Sequence, residues 1–595
     1  MAVASFLDSF TIEQDTDLVS FEIRIDGSKI SGAFHIVSMT IAHDINKVPS
    51  AQLLIRDGSA SEENFAISDE EVFITGKKIE IELGYHNKNK PIFKGVIITN
   101  SHRVNSHCCE MTIDCKDERV NMTSSLSGNN HLNKSDFEIV GDLLRLNKLP
   151  EPEKPVLGNE IRHEQLVQSN TSDWDFMVSR LDVAGLFSFV DNGELFIKKP
   201  VLNADPVLHL KHGVNIFEFQ ADIDSRVQSP EVKTKTWDYQ EQEVRTTDND
   251  DPAEIDQPTD SEEEKSLKTT IDQIAAVLNK AFLIRGSYMT SEEQQLITNS
   301  KRIRQVLSRI KGKVKFQGTV RVRPGDFVKL SGVGKEFNGN VFVSGIHHDY
   351  ADGCWFTEAI LGWDESFFAE ATNPKHAAST SGQISTIQGL HIGIVTSLID
   401  PNGQFRVKVR LPLVNESDEG VYARIATLDA GNDRGSFFLP EVDDEVIVGF
   451  MNDDPRHPVI LGMLHSAKKS SPNEPKDSNP QKGYKSRSGI RLIFDDEKKS
   501  VLIETPGNRM AELNDESGTI TIKDPNGNKI IMDKNGITLE STAKDIKFKA
   551  KKSIKLEAQN IIIKASGDAS MDAGGKAIVK AGGQTVVKGG TVMIN

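Results

Sequence analysis

Three short groups of residues carry side chains that could do chemistry. His-Cys-Cys occupies residues 107–109, His-His-Asp residues 347–349 and Asp-Asp-Glu residues 443–445. Such side chains bind metals or transfer protons. A metal centre needs further ligands at a suitable spacing, and none follows either histidine group. We therefore predict strand residues at 107–109 and 347–349, one histidine of the second group being buried and the other exposed. For 443–445 we predict a solvated turn.

The sequence motifs of several large enzyme classes are missing. It contains no G-x-S-x-G, no H-E-x-x-H and no P-loop motif. We therefore predict that the protein is not an enzyme and that it has no catalytic residues, no cofactor and no metal site.

The charge of the chain is unevenly distributed. The net charge is -17, but residues 466–595 contain 23 Lys and Arg against 16 Asp and Glu. An acidic body argues against general nucleic-acid binding. The basic end could favour acidic partners, or its lysines could simply keep an exposed stem soluble.

Four cysteines, at positions 108, 109, 115 and 354, are too few for a disulfide framework and suit a reducing cytoplasm. The N-terminal segment lacks a basic region followed by an apolar core, so no signal peptide is predicted. No run of eighteen apolar residues occurs, so no membrane-spanning helix is predicted.

Most of the elements that position these residues are predicted to be β-strands. Short alternating runs cover 17–125, and five or six strands within 391–462 suit a small closed barrel of the OB type. Helical patterns occur at 135–146 and from Asp173 to Gly185, and a hairpin turn at 191–193. Two amphipathic helices are predicted, near 265–283 and 291–311, after an acidic loop at 246–265.

The last fifty residues repeat about every eight. Apolar residues recur as i, i+2 pairs, which mark one face of a short strand. The spacing shortens by one residue between Ile554 and Ile561. Each unit offers too little apolar surface to order itself, so the repeat predicts a needle of three identical chains. A flexible tail is the alternative. The predicted needle core is Ile546, Phe548, Ile554, Leu556, Ile561, Ile563, Val579 and Val587.

The sequence ends on Met593, Ile594 and Asn595, two apolar residues and an amide within the last repeat. Exposed apolar strand ends tend to be covered by another protein. We predict that these residues dock a tip protein, with a frayed end as the alternative.

The barrel region resembles the VgrG spike proteins of type VI secretion and the related phage tail spikes. The matching segments are DPNGQFRVKVRLP (400–412), YARIAT (422–427), FFLPEVDDEVIVGF (437–450) and DPRHPVILG (454–462). Two upstream segments, 168–197 and 323–350, resemble the hub of the same family. Tyr422 stands where many members carry Trp, a mild departure.

The resemblance implies a mainly β, multi-domain protein that forms a homotrimer. It also implies that the protein is cytoplasmic while the apparatus assembles. It implies a gp27-like hub of two β-barrel-like subdomains with helical insertions (1–375), a linker (376–388), an OB-fold collar (389–466), an extended connector (467–485) and an intertwined triple-stranded β-helix needle (486–595). The implied partners are a PAAR-like tip protein, a hexameric inner tube protein, baseplate proteins and effectors. The needle would meet a target membrane during puncture, after export by the contractile apparatus.

The sequence has three alternative functional interpretations. The spike could instead belong to an extracellular contractile particle or a phage-like tail. A peptidoglycan-degrading tail enzyme is disfavoured because only about twenty residues separate the barrel from the strands of the stem. Oligonucleotide or sugar binding by the barrel is disfavoured because its exposed stretches VNESDEG and VDDE are acidic.

Overall fold

The protein is described by a computed structural model that covers most of the chain. The described residues are 16–58, 64–105, 109–153, 160–202, 204–229, 231–238, 240–249, 281–286, 288–371 and 386–594. They divide into two compact units, Met1–His465 and Ser466–Asn595.

The strands of the first unit fall into twenty that precede the barrel and seven in and around it. The first twenty are β1 Val19–Ile25, β2 Ser28–Lys29, β3 His35–Asp44, β4 Ser50–Arg56, β5 Lys78–Tyr85, β6 Lys88–Val104, β7 Cys109–Lys116, β8 Leu126–Ser135, β9 Arg162–Ser172, β10 Phe187–Asp191, β11 Glu194–Lys198, β12 Leu208–Lys211, β13 Ile216–Asp222, β14 Val232–Asp238, β15 Glu243–Asp248, β16 Phe282–Gly286, β17 Lys311–Gln317, β18 Phe327–Ser331, β19 Gly339–Ala351 and β20 Cys354–Leu361. The next seven are β21 His391–Ser397, β22 Val407–Arg410, β23 Val421–Ile425, β24 Ala430–Gly431, β25 Arg434–Gly435, β26 Glu445–Phe450 and β27 Pro458–Met463.

Helices make up a small part of the described residues. The α-helices there are α1 Ala66–Asp69, α2 Asp136–Leu146, α3 Asp173–Val183, α4 Ser291–Leu307 and α5 Phe368–Ala371, and 3-10 helices cover Glu118–Thr123, Ser225–Val227 and Met451–Asp453. Local sequence fixes where α2 and α4 begin. Ser135 with Glu138, and Thr290 with Glu293, form capping boxes that satisfy the first backbone N–H groups.

A thirteen-stranded sheet forms the hub, with the strand path β13-β17-β20-β19-β3-β4-β7-β6-β5-β1-β2 and with β12 and β18 joined to it through β19. Alternation of apolar and polar residues decides which side of each strand is buried. In β5, for example, Ile79, Ile81 and Leu83 are buried in the core. The predicted hairpin is confirmed: β10 and β11 meet at Asn192 and Gly193, both at positive φ.

The predicted small barrel is confirmed as a closed one. Strands β21, β22, β23, β27 and β26 pair in that order around a core that includes Val395, Val409 and Val448. The alternating apolar residues of these strands fill the narrow interior, as expected for an OB-sized barrel.

Two helix predictions had different outcomes. The helix predicted near 291–311 exists as α4, which ends at Leu307 because Lys311–Gln317 pair with β13 and β20. The helix predicted near 265–283 lies mostly outside the described residues. Its last positions are not helical, because β16 begins at Phe282 and pairs in parallel with β14. The predicted linker 376–388 also lies mostly outside the described residues.

The second unit contains one seven-stranded sheet whose strands pair in chain order, β28 to β34. The strands are β28 Gln481–Lys485, β29 Arg491–Asp495, β30 Ser500–Glu504, β31 Met510–Asn514, β32 Thr519–Lys523, β33 Asn528–Asp533 and β34 Gly536–Ser541. All neighbours are antiparallel, so each strand leads into the next through a short turn.

Two glycines of the barrel differ in the space available for a side chain. Gly420 has φ +86° and a Cβ there would lie 2.1 Å from the carbonyl oxygen of Val409, whereas Gly403 has φ +66° and open space around it. We predict that Gly420→Ala lowers the free energy of unfolding by at least about 2 kcal/mol, and that Gly403→Ala costs about 1 kcal/mol from backbone strain alone. Denaturant unfolding followed by circular dichroism measures both, and equal costs would contradict the packing described.

Candidate functional site: an uncovered sheet face and the stem

Two rows of apolar side chains cross the second unit's sheet from β29 to β34. The strand register places the members of each row directly opposite one another, on the same face of the sheet. The first row is Leu492, Ile503, Ala511, Ile522, Ile530 and Leu539, and the second is Phe494, Val501, Leu513, Ile520, Met532 and Ile537. We call these twelve residues the apolar face.

The apolar face is largely uncovered within one chain. Phe494 is 47% exposed, Leu513 52% and Ile537 73%. Intervening residues such as Glu512 and Thr521 lie on the opposite, mostly polar face. An antiparallel sheet with one apolar face ordinarily packs that face against something else. The apolar face is therefore a surface for another protein chain.

A groove of about 730 Å³ lies over part of this face. Apolar side chains from five neighbouring strands, β30 to β34, line it, together with the first residues of the repeat region. Among them are Ile503, Ile522, Leu539 and Ile546. The apolar face and the beginning of the repeat are thus adjacent parts of one surface.

The repeat region, residues 544–594, is extended, exposed and without strand pairing in the single chain. The side chains predicted for the needle core share this exposure, from 44% for Ile546 to 78% for Ile563. At the next alternate position after each apolar pair, every unit has a small residue. These are Ala550, Ala558, Ala565, Ala573, Ala581 and Gly589.

The predicted docking end is exposed as well. Met593 is 86% exposed and Ile594 90%, and Asn595 lies outside the described residues. Burial of the core residues in a trimer and docking at this end both remain predictions.

A buried network of charges joins the hub to the barrel within the first unit. His163 lies with Nδ1 3.0 Å from Oε1 of Glu293 and Nε2 3.2 Å from Oδ2 of Asp136. Arg180 Nε donates to Asp136 at 2.7 Å. Arg456, from the barrel, reaches Glu293 Oε1 at 3.4 Å. The network thus connects β9, α2 and α4 with the segment before β27.

The side chain of Gln165 reinforces this junction. It donates through Nε2 to the carbonyl oxygen of Arg456 at 2.6 Å, and its Oε1 accepts from the backbone N–H of Tyr422 at 2.8 Å. A buried amide that satisfies barrel backbone groups stabilises one relative placement of hub and barrel.

Ion pairing sets the protonation states in this network. Burial opposes charge on Glu293, but the hydrogen bond from His163 and the charge of Arg456 bring its pKa down to about 2. Burial likewise disfavours the charged form of His163, but the carboxylate of Asp136 raises its pKa above the ordinary value. These interactions therefore favour the imidazolium form of His163 and the carboxylate forms of Glu293 and Asp136.

The three groups first singled out by side-chain chemistry do not form one site. His348 is buried in β19, whereas His347 is partly exposed and pairs with Oδ1 of Asp44 at 3.0 Å, as expected for alternating strand positions. Residues 443–445 form the entry to β26, and Asp444 accepts the N–H of Glu441. Residues 107 and 108 lie outside the described residues. Within the described part of the chain, no three His, Cys, Asp or Glu side chains are placed to hold a metal.

Sequence reasoning missed the apolar face. The signal was present as alternating pairs in LIF, VLI, AEL, ITI, IIM and ITL. What the sequence alone did not provide was the register that aligns those pairs into two rows.

Three family models match the chain. The model described as the Alg8 N-terminal domain matches residues 15–352, more than half of the chain. That of the type VI secretion system/phage-baseplate injector OB domain matches 391–465, and that of the phage baseplate V C-terminal trimerisation domain matches 500–566. The barrel and the apolar face therefore fall within the second and third matches. These last two families comprise injector and baseplate components.

Curated relatives match over a limited stretch. The type VI secretion system spike protein VgrG1a of Pseudomonas aeruginosa is 33% identical over 91 residues, 15% of this chain and 14% of that protein. VgrG3 of Vibrio cholerae is 32% identical over 90 residues, 13% of this chain and 9% of that protein. The aligned segment thus spans about a seventh or less of each relative.

A similar fold occurs in the Francisella PdpA-VgrG complex in its lidded form. The similarity has a TM-score of 0.50 at 11% identity and covers 89% of this chain and 81% of that one.

Among the described residues, no helix has the length and apolar character needed to cross a membrane.

We predict that a charge on the apolar face disrupts self-association. Ile520→Lys places an ammonium between Leu513 and Met532 in the second row, whereas Thr521→Lys places the same group on the opposite face. Burying an unpaired charge costs several kcal/mol. Sedimentation velocity should therefore show dissociation for Ile520→Lys and an unchanged species for Thr521→Lys. Equal behaviour of the two variants would show that the apolar face is not an interface.

The charge network predicts a stability maximum in mildly acidic solution. The folded pKa of His163 is raised, so its contribution is complete below about pH 6.5 and is lost as pH rises through the folded value. The folded pKa of Glu293 is lowered to about 2, so its contribution is complete above about pH 4.5 and is lost as pH falls.

His163→Gln should lower the melting temperature of the first unit most at pH 5 and progressively less towards pH 9, as measured by differential scanning calorimetry. Asn402→Ala is the control, because its side chain bonds Glu164 at the surface of the same junction. A pH-independent loss in His163→Gln would contradict the charged state assigned to His163.

Proposed function

We propose that this chain, which belongs to the Alg8 N-terminal domain family over residues 15–352, is a VgrG-type spike of type VI secretion that works as a homotrimeric puncturing tip. In this proposal three chains form one spike on the inner tube of the contractile apparatus. Contraction then drives the spike through the envelope of a target cell.

The apolar face, followed directly by the repeat region, is the observation that carries this proposal. Nine of the twelve aligned residues are exposed in one chain, and the next fifty residues offer apolar pairs with small residues beside them. A second and a third copy of the same chain each carry an identical apolar face and an identical repeat region. Self-association could therefore cover both features of every chain at the same time. Tight winding at a common axis also accounts for the small residue in every unit.

The remaining partners follow from this arrangement. The exposed end at Met593 and Ile594 offers an apolar surface for a PAAR-like tip protein. The hub would dock on the hexameric tube protein and baseplate, and effectors would travel on the spike or its tip. The protein would assemble in the cytoplasm and leave it only through contraction of the apparatus.

A second setting uses the same trimer. A spike of an extracellular contractile particle or a phage-like tail needs the same rigid needle and the same docking hub. The family model that matches the barrel is described as an injector OB domain of both type VI secretion systems and phage baseplates. This shared description supports the extracellular or phage-like particle as a second candidate. Genes for a membrane complex beside this one would favour type VI, and tail-fibre genes a released particle.

Polar substitutions in the predicted needle core should abolish delivery. We expect the double variant Val579→Asn/Val587→Asn to prevent release of the spike into the medium and killing of neighbouring cells. Asn side chains buried at the common axis would be desolvated without gaining hydrogen-bond partners, which destabilises the needle. The measurement uses the bacterium that encodes the protein, with its chromosomal copy replaced.

The matched control is Lys580→Asn with Lys588→Asn, which alters the adjacent positions on the opposite side of each extended segment. This variant should be delivered normally. Normal delivery of the valine variant, at equal cellular abundance, would overturn the assigned role of the repeat as a needle core.

A further inference from the structure

The first part of the repeat region carries a dense group of lysines. Residues 544–555 contain six lysines, Lys544, Lys547, Lys549, Lys551, Lys552 and Lys555, and one carboxylate, Asp545. All are exposed. By contrast, residues 556–594 contain four lysines and three carboxylates. We call 544–555 the basic segment.

Alternation along an extended chain separates these lysines from the apolar residues. Ile546, Phe548 and Ala550 occupy alternate positions and fall on one side, and the positions between them, Lys547, Lys549 and Lys551, fall on the other. If the apolar side faces the axis of a trimer, each chain presents three successive ammonium groups outward. Three chains then form a ring of positive charge around the needle.

The single acidic residue does little to neutralise this ring. Asp545 pairs with Lys547 at 3.5 Å, but both side chains are more than three-quarters exposed, and such pairs are weak and screened by salt. The rest of the chain is acidic overall, with 71 Asp and Glu against 47 Lys and Arg before residue 466. The positive charge is therefore concentrated where the repeat region begins.

We propose that the basic segment binds the anionic headgroups of a phospholipid bilayer. Clusters of four to eight exposed lysines are attracted to negatively charged membrane surfaces, and their attraction adds when they lie within a Debye length of one another. The inference rests on the proposed passage of the needle through an envelope. It assigns to the beginning of the repeat region a contact that holds the membrane once the distal part of the repeat has passed.

The composition favours a lipid surface over a single-stranded nucleic acid. Nucleic-acid grooves combine basic residues with aromatic side chains on which bases stack. Phe548 is the one aromatic residue in 544–595, and it alternates with the lysines, on the side assigned to the trimer axis. A surface of closely spaced ammonium groups without stacking partners matches a layer of phosphate headgroups.

Vesicle co-sedimentation of the full-length protein tests the proposal. We expect binding to vesicles of phosphatidylcholine mixed with phosphatidylglycerol, loss of that binding at roughly 0.5 M salt, and no binding to phosphatidylcholine alone. The variant Lys547→Gln/Lys549→Gln/Lys551→Gln should weaken the partition coefficient by about tenfold or more.

The matched control is Lys576→Gln/Lys580→Gln/Lys588→Gln, which removes the same charge from the sparsely charged distal part. It should change binding by about threefold or less, because those lysines are too far apart to act together. Equal losses in both variants would overturn the assignment to the basic segment. Salt-insensitive binding, or binding to double-stranded DNA without binding to anionic vesicles, would overturn the lipid assignment.

The same preparations separate this inference from the proposed function. Light scattering establishes whether each variant is a trimer, and delivery by the encoding bacterium is measured independently. A trimer that is delivered but does not bind anionic vesicles refutes the membrane contact alone. A chain that binds vesicles without forming a trimer refutes the spike.

Discussion

A single-layered sheet cannot bury its own apolar face, and this constraint governs the second unit. Twelve aligned side chains cross six strands, and many of them are about half exposed in one chain. Leaving them in water would forgo on the order of 10 kcal/mol of hydrophobic stabilisation, since a fully buried large apolar side chain contributes about 1.5–3 kcal/mol. The same limit applies more severely to the repeat, where each unit has only two apolar side chains. Both features require other chains.

The first unit satisfies its own needs in a different way. Its hub and barrel have closed hydrophobic cores, and the network around His163 joins them through buried, mutually neutralising charges. Such a network favours one arrangement of its side chains, because displacing one partner leaves the other as an unpaired buried charge and raises the free energy of the folded state. Rigid placement of the barrel on the hub suits a part that transmits force, whereas self-association is left to the second unit.

Local sequence patterns predicted elements whose determinants lie close together. Asn192-Gly193 specified the hairpin of β10 and β11, helical spacing predicted α2 within 135–146 and α3 from Asp173, and alternation within 391–462 indicated the closed barrel. Long-range pairing was not predictable in this way. β12 and β18 pair in parallel although more than a hundred residues separate them. The last two positions of the helix predicted near 265–283 belong instead to β16, because β14 offers that strand a partner. The contact between Glu293 and Arg456 likewise depends on tertiary placement. The two rows of the apolar face depend on a register set by five successive turns.

The central claim is that copies of this chain cover the apolar face and the repeat. The most direct test is the mass of the wild-type, full-length protein in solution by multi-angle light scattering. The account predicts three times the chain mass of 65.7 kDa, maintained on dilution. A stable, folded species with the mass of one chain would contradict it.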